Sequence, residues 1–159
     1  MKVDRRRRRE SKTNYLKRIK LLKSNAPRLV LRKTNKYLIV QYVKSAAAQD
    51  KIVFGINSKK LLQLGWPKNL SCSLKSITAA YFLGMLAGKE IKTKKLKNPI
   101  FDFGLQRVLS GSKIQGFIKG VIDSGIELKH NEKSFPTEER IYGKHLKQNL
   151  PFEQIKKNI

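Results

Sequence analysis

Five consecutive arginines, Arg5 to Arg9, open a stretch in which Lys12, Lys17, Arg18, Arg28, Arg32, Lys33 and Lys36 follow at short intervals. Side chains of this type, at this density, do one kind of chemistry well: they neutralise phosphates. Each Lys or Arg placed on a nucleic-acid phosphate releases condensed counterions, and the planar fork of arginine can hold two phosphate oxygens or lie flat on a base. Tyr15 and Tyr37 stand among these cations and offer rings on which unpaired bases stack. The first 36 residues carry fifteen Lys and Arg against two acids, Asp4 and Glu10, so +13 of the formal charge of +25 sits in less than a quarter of the 159 residues. A domain so charged repels itself until counter-charge is supplied, which points to a polyanionic partner.

Other chemistries lack their residues. The eleven acids form no close pair in the core segments, since Glu138 and Glu139 lie toward the end, and no glycine loop of the phosphate-cradling kind occurs. Asp102, in the run IFDFG, is the one acid placed as a metal-dependent nuclease needs it, but a two-metal site requires several such partners. A structural hydrogen-bonding role suits Asp102 better. Cys72 is the only cysteine, and with His130 and His145 it makes no zinc spacing, so neither a disulfide nor a metal site nor a cofactor is expected. Cys72 reads as a buried or semi-buried small side chain, and the two histidines as surface or RNA-contact residues. No apolar run approaches the roughly 18–20 residues that span a bilayer, and DRRRRRESKTN is unlike a secretory signal. The chain is expected inside the cell, with neither a membrane nor a small-molecule substrate as partner.

The elements that must position the cations can be read from periodicity. The arginine run has nothing apolar to bury and should be disordered in isolation. Thr13 is placed to cap a short helix over residues 14 to 24, with Tyr15, Ile19 and Leu22 as its docking face, and Asn25 and Pro27 stop it. RLVLRK, KYLIVQYVK and DKIVFGIN read as a three-strand antiparallel meander, the first two strands joined by a tight turn at Thr34 and Asn35. In the third strand Ile52, Phe54 and Ile56 share a face suited to packing on a helix. A loop from about Ser58 to Ser71 holds one helical turn, SKKLLQLG. Residues 73 to 88 form a helix apolar nearly all round, with Gly84 and Gly88 allowing close approach to the sheet. NPIFDFG is a short buried strand, and Ile114, Phe117, Ile118, Val121 and Ile122 mark an amphipathic helix ending near Gly125.

The fold class is therefore α/β: a mixed sheet built from the three-strand antiparallel meander followed by helix, strand and helix. Residues 1–27 read as a basic N-terminal arm and short helix and 28–126 as the α/β core domain. Residues 127–159 read as a C-terminal extension lying against partners, weakly helical near residues 138 to 147.

At the level of whole segments the chain becomes recognisable. RRRRRESKTNYLKRIKLLKSNAPRLVLRKTNKYLIVQ resembles the N-terminal half of the archaeal ribosomal protein L-eighteen family, whose eukaryotic counterpart is called L-five. ITAAYFLGMLAGKE resembles that family's central helix, IFDFGLQR the following strand and SFPTEERIYGKHL its tail signature, in the same order. The chain is short for the family and has no counterpart of the long C-terminal region of the eukaryotic form, so the resemblance is to the archaeal one. It implies a mixed α/β core, binding to 5S rRNA, contacts to large-subunit rRNA and neighbouring large-subunit proteins in the central protuberance, a cytoplasmic location and no enzymatic activity. Residue by residue it places at the RNA face the arm Arg5, Arg6, Arg7, Arg8 and Arg9, the segment Lys12, Tyr15, Lys17 and Arg18, and the hairpin Arg28, Arg32, Lys33, Asn35 and Lys36. Between Gly65 and Ile77 the chain departs from the family, reading WPKNLSCSLKS where a loop richer in glycine and proline is usual, and no RNA contact is carried over to it. Two other readings compete: a free-standing basic RNA-binding protein, and a ribonuclease-H-like nuclease built around Asp102.

Overall fold

A computed structural model of the chain describes residues 3–46, 49–144 and 150–159, and only the backbone of Ser71 and Cys72. The expectations for the Cys72 side chain and for His145 lie outside the described residues.

Two helices precede the sheet, a single turn α1 (Arg6–Arg9) and α2 (Tyr15–Lys23). Asn14, not Thr13, caps α2, its side chain accepting from the Lys17 backbone N–H at 3.1 Å, while Thr13 Oγ1 accepts from Arg7 Nε at 2.9 Å. Asn25 then takes a left-handed backbone, φ 50°, and Pro27 follows it, so the chain turns out of the helix into the sheet.

The β-branched runs form strands β1 (Arg28–Lys33), β2 (Leu38–Ala46) and β3 (Gln49–Asn57), and a fourth, β4 (Ile100–Asp102), joins on the far side. The order is β3-β2-β1-β4, antiparallel except for the parallel pair β1 and β4, which is the expected mixed sheet. The connection from β1 to β2 is broader than the expected tight turn. Lys33 pairs with Leu38 around a four-residue loop, held by the Thr34 hydroxyl bonded to the Tyr37 backbone, and Asn35 is not left-handed.

Ile52 also departs from expectation. Tyr42 pairs with Phe54 but Val43 with Ile52, so Val53 is an extra residue in β3. A one-residue bulge turns the chain beyond it to the opposite face. Phe54 and Ile56 are buried in the core, whereas Ile52 is 53% exposed.

One face of the sheet is covered by α3 (Ile77–Thr93) and α4 (Lys113–Asp123). Ser76 caps α3, accepting from the Ala79 N–H at 3.1 Å, and twelve residues of that helix are buried, as its apolar composition implies. Gly84 and Gly88 serve a different contact from the one expected. A Cβ on Gly84 would collide with the Phe117 carbonyl oxygen, one on Gly88 with Ser124, and one on Gly120 with the Tyr81 carbonyl oxygen. The glycines set the closeness of α3 to α4 rather than to the sheet.

The end of the chain belongs to this core. Ile141 lies buried in α5 (Glu138–Tyr142), and α6 (Phe152–Asn158) inserts Phe152 and Ile155, which are 7% and 0% exposed. The Phe152 ring centroid is 4.7 Å from that of Phe82 and 4.6 Å from that of Tyr142. Asn158 Nδ2 donates to the Leu64 carbonyl at 3.0 Å, tying α6 to the turn that Gly65 closes with φ 102°. An extension lying only on partners does not describe residues 150–159. With apolar residues at 150, 152, 155 and 159, the spacing of a helix face was present in the sequence.

Candidate nucleic-acid interface

Among the described residues no helix packs flat on the second face of the sheet. Strand alternation places Arg28, Val30 and Arg32 of β1 there, with Gln41 and Val43 of β2, Ile52 of β3 and Asp102 of β4. Across it lies α2, and between the two runs a cleft of about 350 Å³. No residue of α2 is buried; of the expected docking face Tyr15 and Leu22 are half-buried, whereas Ile19 is 49% exposed. The helix also turns a mostly polar stripe inward. Asn14, Lys17, Arg18 and Leu21, spaced as one helical stripe, line the cleft. Lys17 Nζ donates to the Gly104 carbonyl at 3.1 Å, and Arg18 Nη2 to Asp50 Oδ2 at 3.0 Å.

At the base of the cleft sits an ion network. Arg28, 4% exposed, donates from Nη1 to Asp102 Oδ2 at 2.9 Å and from Nη2 to Asp50 Oδ1 at 2.7 Å and Ser45 Oγ at 3.0 Å. Burial alone pushes the Asp50 carboxyl up, but hydrogen bonds from Ser45, Arg28 and Arg18, with the Arg28 charge, outweigh it and hold the group below its usual range. Asp102 Oδ1 also accepts from the Gly104 N–H at 2.9 Å, the structural role expected of it. Among the described residues no three His, Cys, Asp or Glu side chains gather as metal ligands.

Of the residues expected at the RNA face, Arg5 to Arg9 and Lys12 are exposed, and their partners are few: Glu10 for Arg6 and Lys12, Asp4 for Arg8. Tyr15 is half-buried with the Arg5 guanidinium 5.1 Å from its ring centroid. The fold brings Arg7, Lys12, Lys17, Arg18 and Arg32 to the one cleft. Lys33, Asn35 and Lys36 are exposed but stand apart at the hairpin. Arg28 is a correction: both its terminal nitrogens are taken by side chains of the protein itself, so it braces the sheet rather than facing solvent.

Several side chains at this surface carried no charge signal and escaped sequence reasoning. Gln106, beyond β4, donates from Nε2 to the Leu31 carbonyl at 2.6 Å, where the three-residue β4 no longer reaches β1. Phe103 lies with Lys17 Nζ 5.4 Å from its ring centroid. The available signal was positional, since ligand sites of α/β sheets gather beyond the carboxyl ends of parallel strands. On the helix-covered side Lys113 is partly buried, which lowers its pKa, and the neighbouring charges of Lys75 and Lys33 lower it further.

Comparison with known proteins places this architecture. Residues 1–101 match the family described as "Ribosomal large subunit proteins 60S L5, and 50S L18". The chain belongs to this family. Its relatives include the large ribosomal subunit protein uL18 of Korarchaeum cryptofilum, 41% identical over 145 residues that cover 91% of this chain and 72% of that protein. The uL18 of Aeropyrum pernix is 36% identical over 150 residues, 92% of this chain and 67% of that protein. The uL18 of Caldivirga maquilingensis is 38% identical over 148 residues, 92% and 70%. Members of the family are structural constituents of the large ribosomal subunit, a ribonucleoprotein that works in translation, and are not enzymes; in archaea that subunit is cytoplasmic. The nuclease reading of Asp102 is thereby replaced by a bracing one.

Proposed function

We propose that the chain binds 5S rRNA through its N-terminal arm, α2 and the cleft below it, and meets large-subunit rRNA and neighbouring ribosomal proteins in the central protuberance. The observation that carries this reading is the segregation of exposed cations. Arg7, Lys12, Lys17, Arg18 and Arg32 line one cleft, next to which the rest of the arm, Arg5, Arg6, Arg8 and Arg9, is exposed along the chain, while the local carboxylates Asp50 and Asp102 are already paired within the protein. If about ten of the cations of residues 5–36 engage phosphates, log affinity falls against log salt with a slope of roughly −7 to −9. The hairpin cations Lys33 and Lys36, standing apart from the cleft, suit a second RNA segment. The alternative of a free-standing RNA-binding protein makes a different demand: it would bind other nucleic acids equally well.

A gel shift of 5S RNA against competitor transfer RNA and duplex DNA decides this. The full chain should retain 5S RNA against both competitors, and a full-length variant with Arg5 to Arg9 replaced by Gln should lose most of its affinity. Displacement of 5S RNA by either competitor at equal mass would refute the specific reading.

A further inference from the structure

We propose that the cleft between α2 and the open sheet face is a pocket for one unpaired nucleotide of a bound RNA, its base on the sheet and its phosphates at the cationic mouth. The proposal rests on the RNA-binding reading above and adds to it a defined subsite. At about 350 Å³ the cleft lies at the small end of ligand-binding sites, which run from about 300 to 1,000 Å³. That admits a nucleotide and excludes a duplex. Beside the ion network at its base, the floor carries an apolar patch: Val30 and Val43, with Ile52 left 53% exposed by the bulge in β3. An exposed isoleucine in this position offers a base an apolar surface to lie on. Phe103 adds an aromatic wall beside Lys17.

The polar groups of the cleft fit the same occupant. Arg28 Nε and Gln106 Oε1 are buried without a hydrogen-bond partner, and both residues line the cleft. Buried polar atoms are rarely left unpaired. One is a donor and the other an acceptor, and the edge of a nucleobase carries both functions. Arg7, Lys12 and Arg32 remain free of carboxylates within this neighbourhood apart from the Lys12 pair with Glu10, so phosphates on either side of the base meet positive charge.

Fluorescence anisotropy with the full chain and three labelled RNA hairpins tests the proposal: one with a single bulged adenosine, one with an abasic ribose at the bulge, and one fully paired. The bulged adenosine should bind about tenfold tighter than the other two, within the gain that one stacked base supplies. Ile52→Trp, which fills the floor from a half-exposed position, should abolish that preference, so that the bulged and abasic hairpins bind with equal affinity. Gln41→Trp fills the same floor from β2 and serves if Ile52→Trp does not melt like the parent. Equal affinity for the adenosine and abasic bulges overturns the proposal, as does a folded filling variant that keeps the preference. Free AMP as competitor should leave the bulged hairpin bound at millimolar concentration; displacement would reassign the cleft to free nucleotides and also overturn it. Binding of 5S RNA without any bulge preference removes the subsite alone, whereas failure to bind any of these RNAs removes the RNA-binding reading and the subsite with it.

Discussion

Arg28 and Arg32 lie four residues apart in β1 on the same sheet face, yet replacing them should have opposite consequences. Arg28→Met removes a guanidinium that is 4% exposed and leaves Asp102, 9% exposed, without its cation. Breaking a buried pair in this way costs about 3–5 kcal/mol. The cleft admits water and Asp50 is a third exposed, so the lower end applies, about 3 kcal/mol. For a domain of this size that lowers Tm by roughly 6–12 °C. The salt slope of RNA binding should stay unchanged, because the lost charge was already neutralised within the protein. Arg32→Met, at an exposed site, should leave Tm within a degree or two and reduce the salt slope by about 0.7–0.9. Circular-dichroism melting and anisotropy titrations over a salt series measure both quantities on the same samples. A folded Arg28→Met protein with unchanged Tm and a shallower salt slope would refute the assignment of Arg28 to the interior.

Phe152→Ala should destabilise the whole domain by about 3–5 kcal/mol in urea unfolding, since the ring sits among Phe82, Tyr81 and Tyr142; a loss confined to local fraying near the C-terminus would contradict its place in the core. Gly84→Ala drives a methyl group toward the Phe117 carbonyl and should cost about 1–3 kcal/mol by the same assay, with Tm moving in parallel. The Asp50 carboxyl titrates lower in the folded than in the unfolded chain, so its contribution to stability is complete above the ordinary carboxylate value near pH 4 and is lost as pH falls through the folded value. Urea midpoints followed from neutral pH into the acid range should therefore decline less steeply for Asp50→Asn than for the parent, and parallel declines would show that the pairing is not what depresses it.

Patterns local to the sequence determined a large part of this protein. The cation density of residues 5–36, the β-branched runs of the meander, the apolar helix after Ser76 and the 3.6-residue period of α4 are each legible without neighbours, because local charge and periodicity are what they depend on. The order of those segments was also enough to point to a ribosomal family. What a segment faces is a different matter, since that depends on partners distant in the chain. Arg28 looks like its neighbour Arg32 until Asp50 and Asp102, 22 and 74 residues away, close on it. Ile52 looks like Phe54 until the bulge at Val53 turns it over. The stripe of α2 that faces the cleft is mostly polar, and Arg18 finds its partner in Asp50, 32 residues away. The glycines of α3 match glycines of α4, and α6 finds its place against α3, through contacts no local pattern encodes. The sequence by itself determined that the chain is a basic α/β ribosomal protein; tertiary structure decided which cations are spent inside and which remain for RNA, because pairing between distant residues consumes some of the charge that composition counts as available.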